Sequence, residues 1–154
     1  MVGDRNLKAE TLVGYVDRET INQAVVDAIR ASGGSIIRNP YFRKLDRVCA
    51  TTELQVKALP KPVATAGVAA YLTGAQALSA GMVKQVAAIK PPAKQKGFHK
   101  RFKAYAGDTT AILTTAAADA KAHPGSAVRA ATAKGKRLDK TFIAKNGAHG
   151  LSCF

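Results

Sequence analysis

A run of 22 residues without a charge, PVATAGVAAYLTGAQALSAGMV (62–83), limits what this chain can fold into more than any other feature. Lys61 and Lys84 bound it. As a helix it rises about 33 Å, enough to cross the hydrocarbon of a bilayer. Three Gly, two Thr, Gln76 and Ser79 nevertheless make it only weakly apolar for a span. Gly67, Gly74 and Gly81 recur every seven residues, with Ala70 and Ala77 between them. That spacing predicts a stripe of small side chains along one helix face, whose physical use is to admit another helix closely. Tight helix packing is the expectation, and a membrane crossing is the alternative.

Proline and glycine punctuate the rest into helical lengths. DRETINQAVVDAIRAS (17–32) places Ile21, Val25, Ala28 and Ile29 on one face, and Gly33-Gly34 stops it. Asn39-Pro40 opens a second helix, because Asn caps well and Pro is tolerated at the first helical position. Residues 51–59 fit a strand or a helical turn equally. Beyond Pro91-Pro92, residues 93–108 make a basic segment. Asp108 with Thr109 and Thr110 is predicted to cap a further helix that ends at His123-Pro124-Gly125. Ser126 is predicted to cap the last helix, weakened at Gly135 and ended by Asn146-Gly147. The expectation is a mainly α protein, a small helical domain of about five helices with a basic C-terminal part. It divides into a mixed-charge part, 1–62, and an Ala/Gly-rich basic part, 63–154, within one structural unit.

Charge points to the partner. The chain carries 24 Lys and Arg against 10 Asp and Glu, a net of +14. Residues 1–62 contribute +3 and residues 63–154 contribute +11. Such an imbalance opposes compaction through self-repulsion and favours polyanions. Two clusters dominate. The first includes Lys94, Lys96, Lys100, Arg101 and Lys103, interleaved with Phe98, Phe102 and Tyr105 at helical spacing. The second includes Arg129, Lys134, Lys136, Arg137 and Lys140. Cations in these positions meet phosphates and release counterions. The aromatic face either stacks on bases or packs as core, and core is the expectation.

Catalytic patterns are missing from the sequence. His99, His123 and His149 stand in no HExxH spacing, no CxxC occurs, and AKGKR (133–137) departs from a phosphate-binding loop. No catalytic residue, metal or cofactor is implied. Cys49 and Cys153 are expected as free thiols in a reducing compartment, with a single bridge tying the C-terminus to the first part as the alternative. The polar N-terminus, MVGDRNLKAE, has no apolar signal core behind it, so an intracellular, non-secreted location is expected. The expected function is a non-catalytic structural subunit that binds nucleic acid, RNA rather than DNA, beside neighbouring protein subunits of a large assembly. The alternative is an accessory subunit of a membrane-embedded complex.

Overall fold

A computed structural model describes residues 39–154, together with Val25, Ala28 and Ile37. The helix predicted over 17–32 lies outside the described residues except for Val25 and Ala28, both helical and exposed. The described residues form four α-helices, one short 3-10 turn and no strand. The helices are α1 (Pro40–Ala58), α2 (Ala66–Ala88), α3 (Lys96–Asp119) and α4 (Pro124–Asn146). Residues 39–154 make one compact unit. Helix α1, which falls before residue 62, therefore packs together with the basic helices.

Local chemistry explains α1. The Asn39 side chain accepts hydrogen bonds from the Tyr41 and Phe42 amides, and Pro40 occupies the first turn. The ambiguous stretch 51–58 continues as helix, and Thr52 turns its hydroxyl onto the Val48 carbonyl at 2.9 Å. Pro91 and Pro92 then separate α2 from α3, with the 3-10 turn Ala93–Gln95 as the bridge.

Helix α3 passes straight through Asp108, where a new helix was predicted to start. Thr109 and Thr110 return their hydroxyls to the Tyr105 and Ala106 carbonyls, both at 3.0 Å. Thr114 and Thr115 do the same one turn later. The hydroxyls are thus satisfied inside the helix rather than at its cap. Buried Tyr105, Ala106 and Ala116 keep one apolar face continuous across the predicted break. Helix α4 starts at Pro124, two residues before the predicted Ser126 cap, and Ser126 donates back to the His123 carbonyl at 3.0 Å. It ends where predicted, at Asn146, with Gly147 at φ +74°.

Helix α2 packs on α1 and α3, and α3 packs on α4. Two chemistries fill the interior. At one end Leu72, Ala116, Ala120 and Ala127 bury a small-residue core between α2, α3 and α4. At the other, an aromatic cluster from α1, α3, α4 and the tail gathers around Phe102, which is fully buried. Phe42 meets Phe98 edge-on at 5.1 Å, and Phe142 stacks on Phe154 at 5.3 Å. Each fully buried ring of this size contributes about 1.5–3 kcal/mol by leaving water. A few aromatics therefore offset the small burial of the many alanines.

Among the described residues the glycine stripe of α2 does not line the packing of α2 on α1 and α3. The buried side of α2 is Leu72, Ala75, Ser79, Met82 and Val86. Ala70 and Ala77 are exposed, and a Cβ at Gly81 would meet open space. Gly67 and Gly74 do permit close approach, but to the connector from α1. A Cβ at Gly67 would stand 3.2 Å from Pro62, and one at Gly74 would stand 3.1 Å from Leu59. The reason is the greater apolar area of Leu, Met and Val, which brings their face to the core and leaves the smallest residues for the linker.

Cys49 and Cys153, expected as free thiols, are joined in a disulfide. The tail after Gly147 folds back over the aromatic end, which brings two cysteines 104 residues apart into bonding range.

Candidate functional site

All ten cations singled out from the sequence are exposed: Lys94, Lys96, Lys100, Arg101, Lys103, Arg129, Lys134, Lys136, Arg137 and Lys140. The backbone explains why. On α3 the positions buried at the aromatic end are Phe98, His99, Phe102, Tyr105 and Ala106, so the intervening Lys100, Arg101 and Lys103 project outward. On α4 the buried positions are Ala127 and Phe142. Arg129, Lys136 and Lys140 stand seven and four residues apart, along one stripe opposite to them.

Helices α3 and α4 are joined side by side through polar contacts at their margin. The Arg101 guanidinium donates to the Asn146 side chain. The Tyr105 hydroxyl donates to Asp139 at 2.7 Å. Farther along, Asp108, Ala111, Ile112, Lys134, Arg137, Leu138 and Thr141 line a shallow open groove between the two helices. Lys134 and Arg137 from the second cluster thus face α3, and Asp108 supplies a carboxylate among them.

The acidic residues of this unit are largely occupied by their own fold. Residues 39–154 hold 19 Lys and Arg against 5 Asp and Glu, so the whole net charge of +14 lies here and residues 1–38 balance to zero. Asp46 is buried and accepts from the Ser152 amide and hydroxyl at 2.8 and 2.6 Å. Asp139 is taken by Tyr105. Glu53 pairs with Lys57, one turn away on α1. Asp108 and Asp119 remain exposed beside the ten cations.

The aromatic stripe of the first cluster points inward. Phe98, Phe102 and Tyr105 are all buried, so they serve as core and present no face for base stacking. Burial raises the Tyr105 phenol above its ordinary value, reinforced by its hydrogen bond to Asp139 and by that carboxylate's charge. Burial also pushes the Tyr41 phenol up to about 12. Tyr41 hydroxyl and His99 Nδ1 lie 3.0 Å apart inside the cluster. Desolvation, and then the nearby Lys103 charge, hold the His99 imidazolium below its usual range, so this ring is neutral in the folded protein near pH 7.

Comparison with protein-family models, with curated proteins and with solved structures found no match.

Among the described residues no three His, Cys, Asp or Glu side chains are grouped to hold a metal ion. None of their helices is long and apolar enough to cross a membrane, α2 included. Two features are not fixed by local sequence: the closed tail and the occupation of the acids. The pair Ser152-Cys153 against Asp46 and Cys49 is the only trace of the former, and nothing local marks which residues will meet.

Proposed function

We propose that this chain is a non-catalytic binding subunit whose exposed α3 and α4 cations neutralise the phosphates of a nucleic acid, RNA rather than DNA, within a larger assembly. The observation that carries the reading is the combination of ten exposed cations with only two exposed and unengaged acids, Asp108 and Asp119, beside them. Neutralising Z phosphates makes log K fall linearly with log salt, by about 0.7Z for single strands. Fluorescence anisotropy with a labelled single-stranded RNA, repeated from about 50 to 200 mM salt, tests it. Engagement of even half of the ten cations predicts a slope near −3.5. Affinity that ignores ionic strength eliminates the reading. Because the aromatics are buried, little base preference is expected, and homopolymers of different bases bind alike.

The Cys49–Cys153 bridge favours a second reading. Disulfides persist mainly outside reducing compartments, where the same surface would meet anionic lipid headgroups. Sedimentation with vesicles of anionic against neutral lipid separates the two, since only the second reading expects salt-sensitive capture by the anionic vesicles at an affinity matching or exceeding that for RNA. Helix α2, which buries Leu72, Met82 and Val86 in its own bundle, gives no support to a membrane-spanning role for 62–83.

A further inference from the structure

The tail is attached to α1 at two adjacent points in matching register. Asp46 and Cys49 stand three residues apart, on the same side of α1 one turn from each other. Their partners, Ser152 and Cys153, are consecutive in the tail. Asp46 is only 3 % exposed, yet it carries a carboxylate. The Ser152 amide and hydroxyl both donate to its Oδ1. Leu151, the preceding residue, is buried, and Phe154, the following one, lies against Phe102, Tyr105 and Phe142. Cys49 itself is 2 % exposed, so no oxidant reaches it once the tail is docked. With the tail docked, the half-buried Cys153 is therefore the thiol of the pair that an oxidant reaches.

We infer that Asp46 is a positioning residue for an oxidative maturation step: it docks Ser152 and so presents Cys153 to Cys49 for disulfide formation. The reaction is a thiol–disulfide exchange. The Cys153 thiolate attacks a disulfide oxidant such as oxidised glutathione, forms a mixed disulfide and releases one glutathione thiolate. The Cys49 thiolate then attacks the Cys153 sulfur and expels the second. Two cysteine thiols lose two protons and two electrons, and one molecule of glutathione disulfide becomes two thiols. Asp46 takes no part in bond making. Its two hydrogen bonds raise the effective concentration of one thiol at the other, since they hold the tail before oxidation. This role is independent of whether the cationic surface binds RNA.

The test uses the full chain, reduced and then equilibrated in glutathione buffers of graded composition, quenched by alkylation and read by mass. The fraction oxidised gives the effective concentration of the thiol pair. Asp46→Ala removes the acceptor of both hydrogen bonds and is expected to lower that value about ten- to a hundredfold, the loss expected for hydrogen bonds to a charged group. Ser152→Ala and Asp46→Asn each keep part of the contact and should fall between Asp46→Ala and the native chain. In concentrated guanidinium all four proteins should give one common, low value. Helical content by circular dichroism identifies a variant that fails to fold, in which case Ser152→Ala decides. An effective concentration unchanged by Ser152→Ala and Asp46→Ala in native buffer overturns the inference. So does a loss that persists undiminished in guanidinium, because the effect would then not act through the docked tail.

Discussion

Reduction of the Cys49–Cys153 bridge should cost this bundle a large part of its stability. The bond links residues 104 apart, nearly the whole compact unit. Closing a loop of that length removes about 16 cal/mol/K of entropy from the unfolded chain, or about 4.7 kcal/mol at 25 °C. Domains of this size hold only about 5–15 kcal/mol in total. The reduced protein should therefore unfold at much lower urea, and its melting temperature should drop by about 15 °C. Urea titration followed by circular dichroism, with and without a phosphine reductant, measures the difference directly. Cys153→Ser repeats it without reductant and leaves buried Cys49 in place. The slope of the transition should also rise on reduction, because an uncrosslinked chain exposes more surface when unfolded. A loss below about 1 kcal/mol would show that neither the constraint on the unfolded chain nor the docking of the tail is significant.

Three further outcomes follow from individual residues. Gly81→Ala should stabilise the protein by about 0.5–1 kcal/mol, because α2 is helical there and the added Cβ meets nothing within 4 Å; a weakened self-association instead would show that Gly81 belongs to an intermolecular seam. Gly147→Ala should destabilise by about 1–3 kcal/mol in a thermal melt, since φ +74° with ψ 155° is a region that side chains rarely enter; a neutral result would mean that the α4 terminus relaxes. Stability should also fall as pH drops below 6.5: the unfolded His99 takes up a proton near that value, the folded ring resists it, and protonation therefore pulls toward the unfolded state. Chemical denaturation between pH 7.5 and 5 reads this, and His99→Gln should lessen the dependence relative to the native chain.

Where structure follows from neighbours in sequence, the sequence was readable. Asn39-Pro40 starts α1 because a side-chain acceptor and a fixed φ act within one turn. Gly147 ends α4 because it alone tolerates the backbone required there. The spacing of Phe98, Phe102 and Tyr105 announced a buried face, and the cations between them had to point outward. Asp108–Thr110 misled, since the same hydroxyls that cap a helix can also bond the carbonyl four residues back. A Cβ at Gly67 or Gly74 would crowd the linker from α1, and periodicity cannot distinguish a helix from such a linker. The pairing of Cys49 with Cys153 and the engagement of Asp46 by Ser152 depend on a tail folding back over about a hundred residues. No local pattern encodes that meeting. For the same reason the exposure of the basic clusters could be read from their spacing, whereas the inward engagement of Asp46 and Asp139 could not.

Lysine acetylation footprinting with bound RNA reads which of these cations meet phosphate. Protein and complex would be briefly labelled at low salt and read by peptide mass. Lys94, Lys96, Lys100 and Lys103 on the first cluster, and Lys134, Lys136 and Lys140 on the second, should lose reactivity in the complex, while Lys57, paired with Glu53 on α1, keeps it. Unaltered labelling across α3 and α4, or protection confined to α1, would contradict a phosphate-binding role for this surface.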